Sequence, residues 1–119
     1  MEVGTDIIEV ARIAKSIENS SFLKRVYSDE EIEIIKKHKG RKSAETASGR
    51  FCVKEAFSKA LGTGIRNFNM NEISTLNDEL GKPYITLKGN AKKLLGNRKT
   101  AVSISHTAEY ATAVVIIYE

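Results

Sequence analysis

With 119 residues, 41% of them hydrophobic and one a proline, the chain can bury one core and reads as a single domain over 1–119. Charged residues make up 29% with no low-complexity run, which excludes a disordered chain, and no apolar stretch approaches the ~20 residues of a membrane span. The lone cysteine, Cys52, excludes an intrachain disulfide and suits a reducing cytosol, and the net charge of +4 favours an anionic partner: a nucleotide, a nucleic acid or an acidic protein.

The opening MEVGTDIIEV is too short and too acidic for a signal peptide. Residues 3–10 are apolar and β-branched except at Asp6 and Glu9, which predicts a strand. It passes into a helix carrying Ala11, Ile13, Ala14 and Ile17. Asn19-Ser20-Ser21 is a break, and residues 22–27 form a short helical or irregular piece. In SDEEIEIIKKHKG, Ser28 and Glu31 make the S-x-x-E capping box, the hydroxyl accepting an amide and the carboxylate reaching back. Asp29 and Glu30 complement the positive end of that helix, and Lys36, Lys37 and His38 the negative end, with Gly40 as the expected C′ residue. These local roles account for the charges of this segment.

A long helix is expected over residues 43–61. Val53, Ala56, Phe57, Ala60 and Leu61 follow the i, i+3, i+4 spacing of one buried stripe, and Gly62 ends it. Glu55 and Lys59 fall opposite that stripe. Residues 72–76 and 84–87 flank a turn containing Asn77-Asp78 and Gly81-Lys82-Pro83, the pattern of a hairpin. Asn90 is the expected cap of a short helix over 91–95 that Gly96 closes. Residues 101–105 and 110–118 form a second hairpin. Its last strand is apolar on both faces, as in a central strand or one buried by another subunit.

Asp6 interrupts an apolar strand, and a buried carboxylate is costly unless paired or bound to a cation. It reads either as a strand-end carboxylate in water or bonded to Thr5, or as a ligand for a hard metal such as Mg²⁺, which takes one or two carboxylates and completes its shell with water and phosphates. Glu55 is the candidate partner. By spacing alone, Glu55 and Lys59 are more simply an i, i+4 surface pair worth about 0.2–0.5 kcal/mol. The other reading puts Glu55 on a metal and Lys59 on a phosphate oxygen. His106, at a strand end, is either a structural hydrogen-bonder, a phosphate donor or a base. Cys52 reads as a packed thiol. Gly62-Thr63-Gly64 follows its helix and so is no P-loop; capping is its default role, with close backbone approach of Gly64 to a ligand as the functional one. The basic run at residues 36–42, KKHKGRK, has no interleaved aromatics. A non-catalytic nucleotide- or RNA-binding module built on it is the weaker alternative, beside a purely structural trimeric adaptor.

GTDIIEVARI at residues 4–13, GRFCVKEAFSKALGTGI at 49–65 and SISHTAEYATAVVI at 103–116 together resemble the three signature blocks of the holo-[acyl-carrier-protein] synthases, small members of the 4′-phosphopantetheinyl transferase family. They stand in that family's order, and FLKRVYSDEEIE and GKPYITL between them resemble further family positions. The likeness covers essentially the whole chain. It implies an α+β fold, with an antiparallel sheet packed against one long helix and shorter helices. It also implies a cytoplasmic enzyme that transfers the phosphopantetheine arm of coenzyme A to a serine of apo acyl carrier protein. Neither a nucleic acid nor a membrane is among the implied partners. The resemblance further implies a homotrimer with active sites between subunits. Asp6 and Glu55 match the family's Mg²⁺ ligands, and Lys59 the lysine on a phosphate; these three are the implied catalytic residues. His106 and Thr107 match a pair near the nucleotide phosphates, and Arg50 an arginine near the nucleotide. Arg41 and Lys42 are candidates for the 3′-phosphate, although the loop before Ser43 differs in length from relatives. Arg12, Phe22 and Arg25 match the surface that receives the acidic carrier protein. Cys52 and Val53 stand where relatives often have alanine.

Overall fold

A computed structural model describes residues Met1–Glu119. The order of elements is β1 (Glu2–Glu9), α1 (Val10–Ser16), α2 (Ser20–Val26), α3 (Asp29–Lys36), α4 (Gly40–Leu61), a 3₁₀ turn (Met70–Glu72), β2 (Ile73–Asn77), β3 (Pro83–Leu87), α5 (Gly89–Leu95), β4 (Lys99–His106) and β5 (Tyr110–Tyr118). The fold is therefore α+β with antiparallel pairing throughout, as expected. The strands divide into two sheets, β1-β5-β4 and the hairpin β2-β3, with β3 running beside β4. β5 is central in the larger sheet, which explains its double apolarity.

Strand register sets the layers. On β1, Gly4, Asp6 and Ile8 point inward, and their partners on β5 are Val115, Ala113 and Ala111. α4 lies across that face, and Val53, Ala56 and Phe57 are fully buried against it, each large side chain stabilising the fold by about 1.5–3 kcal/mol. The helix is buried nearly all round, at Ala44, Ala47, Arg50 and Lys54 as well as on the predicted stripe. Gly4 permits the close approach of helix and strand: a Cβ there would lie 1.9 Å from the Ala56 carbonyl oxygen. The opposite face of the sheet carries exposed Val3, Ile7 and Val114.

Three local expectations are corrected. Gly40 does not cap α3. That helix stops at Lys36, where the Lys37 amide donates back to Glu33 O and Ile34 O and the His38 amide to Ile35 O, and Gly40 instead opens α4, three residues before the expected start. Asn90 does not cap α5; the Glu72 carboxylate accepts the Ala91 amide at 3.0 Å, a cap delivered from a distant segment. The capping box of α3 is present, but it does not exhaust Glu31. This residue is fully buried and pairs with Lys54 Nζ at 2.6 Å. Lys54 also donates to Met70 O at 3.1 Å and to Ile73 O, while Thr75 N donates to Glu31 Oε2 at 2.9 Å. One buried ion pair thus ties α3, α4 and β2 together. The C-terminus of α4 is as expected, with Gly62 in the left-handed conformation at φ 81°. No helix is long and apolar enough to cross a membrane.

Candidate active site

Two polar clusters lie along α4. The first stands where its C-terminal half crosses β1. Lys59 Nζ donates to Thr5 O at 2.9 Å and to Asp6 Oδ1 at 3.4 Å. It makes no ion pair with Glu55, so the simple i, i+4 surface pair is not what forms. Glu55 is half-buried beside Asp6. Burial first, and the Asp6 charge second, push its carboxyl above the usual range, while Lys59 pulls it back. Two carboxylates held together against their own repulsion leave a place that a cation would relieve. No three His, Cys, Asp or Glu gather anywhere to form a protein-only metal cage. Two carboxylates are the donor set that Mg²⁺ uses when phosphates and water complete its shell. Cys52 lies beneath this cluster, fully buried, its thiol donating to Ala111 O at 3.4 Å. Burial, then the Asp6 carboxylate, push that thiol up to about 12. It is the packed, inert thiol expected.

The second cluster is a cleft of about 500 Å³ along the N-terminal half of α4, lined by Lys42, Glu45, Arg50, Asn77, Pro83 and His106 among others. His106 Nδ1 lies 3.9 Å from Glu45 Oε2. Arg50 is 6% exposed; its NH2 group donates to Asn77 Oδ1 at 2.8 Å, its NH1 reaches Thr46 O only at 3.5 Å, and Nε has no protein partner. Burial lowers its pKa, against the raising influence of Glu31. No carboxylate forms an ion pair with it.

Of the expected site residues, Asp6, Glu55 and Lys59 converge on the first cluster, and Lys42, Arg50 and His106 on the second. Arg41 in the first turn of α4, Gly64 at φ 65° beyond its end, and Thr107 do not line the cleft. Thr107 shapes the β4–β5 turn, its hydroxyl oxygen accepting the Glu109 and Tyr110 amides at 3.2 and 3.1 Å. Arg12 is exposed on α1. On α2 the Arg25 guanidinium sits 5.7 Å from the Phe22 ring centre, and Phe22 stacks on Phe51 at 6.4 Å. Sequence reasoning missed Glu45, Asn77 and Pro83. The i−4 neighbour of Arg50 on its helix face could have pointed to Thr46; no local signal marks Glu45 or the hairpin residues.

The model of the 4′-phosphopantetheinyl transferase superfamily matches residues 2–115. The chain belongs to that superfamily. The holo-[acyl-carrier-protein] synthase of Fusobacterium nucleatum is 44% identical over 119 residues, covering 97% of this chain and 96% of that relative. The one from Clostridium botulinum strain Alaska E43 is 46% identical over 118 residues, with 97% and 94% covered. Among solved structures, the holo-(acyl-carrier-protein) synthase of Bacillus anthracis in complex with CoA (3′,5′-ADP) superposes with a TM-score of 0.87 at 35% identity, over 99% of this chain and 96% of that one. The Helicobacter pylori synthase in complex with coenzyme A gives 0.82 at 34% identity, over 97% and 98%. Within this transferase fold, the two clusters of the present chain stand apart. Gly49 packs on Ile104 of β4 and Lys59 on Thr5 of β1, so α4 crosses the sheet obliquely and carries one cluster to each edge.

Proposed function

We propose that the chain is a holo-[acyl-carrier-protein] synthase acting as a single domain over 1–119. It transfers 4′-phosphopantetheine from coenzyme A to a serine hydroxyl of apo acyl carrier protein and releases adenosine 3′,5′-bisphosphate. Family membership and the full-length likeness to synthases, two of them bound to coenzyme A or its nucleotide part, support this reading. The observation that carries it is the convergence of Asp6, Glu55 and Lys59 at the crossing of β1 and α4.

Asp6 and Glu55 would hold Mg²⁺, which, when bound, offsets charge on the coenzyme A diphosphate. Lys59 is tethered through Thr5 O and Asp6, and an ammonium has three donors, so one remains for a phosphate oxygen. In the transfer a serine Oγ–P bond forms and the P–O bond to the bisphosphate breaks. The hydroxyl proton goes to a base. Glu55, directly or through a water it polarises, is the candidate for that role; His106 is the alternative. The clefts at Arg50 and His106 would receive the nucleotide end, with Arg41 and Lys42 toward its 3′-phosphate and Thr107 and Gly64 bordering the bound coenzyme. Arg12, Phe22 and Arg25 would dock the acidic carrier in the cytoplasm.

The first cluster and the cleft of one chain stand at opposite edges of its sheet. We therefore place each active site between subunits of a homotrimer, a reading that the uncovered apolar face at Val3, Ile7 and Val114 also supports. Mass spectrometry of apo carrier protein incubated with the enzyme, coenzyme A and Mg²⁺ should show a phosphopantetheine-sized gain. No gain, with tight RNA binding instead, would refute the transferase. Glu55→Gln and Arg50→Ala chains, each inactive, should regain transfer when refolded together, because some interfaces then pair an intact first cluster with an intact cleft. Mixtures as inactive as their parents would refute the shared site.

A further inference from the structure

Arg50 is a buried cation with an unusual set of partners. Its one close acceptor is neutral: the Asn77 amide oxygen, at 2.8 Å. The nearby carboxylates are engaged elsewhere, Glu31 with Lys54 at 2.6 Å and Glu45 facing His106 at 3.9 Å. A guanidinium normally prefers a bidentate carboxylate. Here a side chain that orients it without cancelling its charge holds it at the wall of a cleft that also carries Lys42 and His106.

Asn77 is itself well fixed. Its Nδ2 donates to Gly81 O at 3.0 Å, tying the far end of the hairpin turn, and Gly81 and Pro83 line the same cleft as Arg50. Two residues earlier on the same strand, Thr75 N donates to Glu31 Oε2 at 2.9 Å. Lys54, one turn along α4 from Arg50, holds both Glu31 and the start of β2. The buried pair thus fixes β2 against α4, and Asn77 transmits that registration to the guanidinium and to the hairpin wall.

We propose that Asn77 is the positioning residue for Arg50 in coenzyme A recognition: it aims the guanidinium and sets the width of the cleft while leaving the positive charge free for the anionic nucleotide. This rests on the synthase reading for the identity of the ligand, but the geometry assigns the role to a residue outside the family's signature blocks. Asparagine is the side chain suited to the task. Aspartate at the same position would keep an oxygen acceptor at nearly the same place, yet would neutralise the arginine and lose the donor to Gly81 O.

The test compares Asn77→Asp and Asn77→Ala with the native chain. Asn77→Asp should fold with an unchanged or raised Tm, because it creates a carboxylate partner for a buried cation. Its KM for coenzyme A should rise about tenfold or more, with kcat and the KM for carrier protein within twofold of native values. Asn77→Ala should raise the same KM through loss of aim. Calorimetric titration with adenosine 3′,5′-bisphosphate should show parallel weakening in both variants. A purely structural Asn77 predicts that activity follows Tm, so an Asp variant with native Tm, native coenzyme A KM and native bisphosphate affinity overturns the proposal. Failure of the synthase reading looks different: the native chain then transfers nothing. Bisphosphate binding that still weakens in both variants would in that case support Asn77 as the positioning residue of an anion cleft.

Discussion

Replacing Gly4 by alanine places a Cβ 1.9 Å from Ala56 O, 2.9 Å from the carbonyl carbon of the same residue and 2.7 Å from Ala60 N. All three are helix backbone, so no side chain can rotate aside. Ordinary contact begins near 3.4 Å, so α4 and β1 must separate locally by about 1.5 Å, far more than a close-packed interior absorbs without strain. Overpacking of this kind costs about 1–3 kcal/mol; rigid backbone on both sides puts Gly4→Ala near the upper end. At this chain length that lowers Tm by roughly 10 °C. The larger effect is on chemistry. Gly4 lies two residues from Asp6, and Ala56 and Ala60 each adjoin a site residue, Glu55 and Lys59. A displacement of about 1 Å between catalytic groups costs on the order of 100-fold in rate. We expect Gly4→Ala, assayed well below its Tm, to lose about 100-fold in kcat/KM while its circular dichroism stays native. Transfer within threefold of the native rate would refute the idea that this close approach sets the site.

Lys54→Met should destabilise the fold by about 3–5 kcal/mol in urea titration, because Glu31 is left as an unpaired buried carboxylate. Lys59→Met, which removes a half-exposed side chain, should leave unfolding unchanged but lower kcat/KM for coenzyme A at least tenfold. The raised Glu55 carboxyl gives a folded state that binds its proton more tightly than the unfolded chain. Stability therefore falls as pH rises from the ordinary value of 4.5 and levels off once Glu55 is ionised in the folded state. Removing this charge by Glu55→Gln should raise Tm at pH 7 without divalent cations, while millimolar Mg²⁺ should raise Tm in the native chain and not in the variant. Alkylation by iodoacetamide at pH 8 should leave native Cys52 unmodified for hours and label it within minutes in urea, since the buried thiol is pushed up to about 12.

Most elements were legible in the sequence because their signals are local. The Ser28–Glu31 box, the Gly62 stop and the period of Val53, Ala56, Phe57 and Ala60 each act within a turn or two of themselves. Errors arose where a distant partner decides. Glu72 rather than Asn90 caps α5, and Glu31, whose charge the capping box accounts for only in part, is fully buried and meets Lys54 across the core. Periodicity assigns a charged residue to solvent by default, and no pattern within one helix reveals that a second helix supplies the counter-charge. The site divides the same way. Asp6 was conspicuous as a carboxylate in an apolar strand, but the choice between surface pair and metal site for Glu55 and Lys59 required resemblance. Asn77 and Pro83 join the cleft only because β2 and β3 fold back over α4.

The oblique course of α4 links these observations. Ten residues from Glu45 to Glu55 span about 15 Å of helix, and three strands about 10 Å of sheet, so a helix crossing diagonally must present its two ends to opposite edges. Tight packing at Gly4 fixes one end over β1, and Gly49, whose Cβ would meet Ile104 Cγ2 at 3.0 Å, fixes the other over β4. Small residues at both crossings therefore determine where the charged ones stand. A single core helix can then do two unrelated jobs: it brings a carboxylate and an ammonium to Asp6 at one edge, and a guanidinium to the Asn77 amide at the other. On the proposed reading, each half alone would bind only part of a long, flexible, polyanionic coenzyme. In the homotrimer proposed above, joining them across a subunit boundary would make assembly a condition of activity, and the core packing of each chain would set the geometry of its neighbour's reaction.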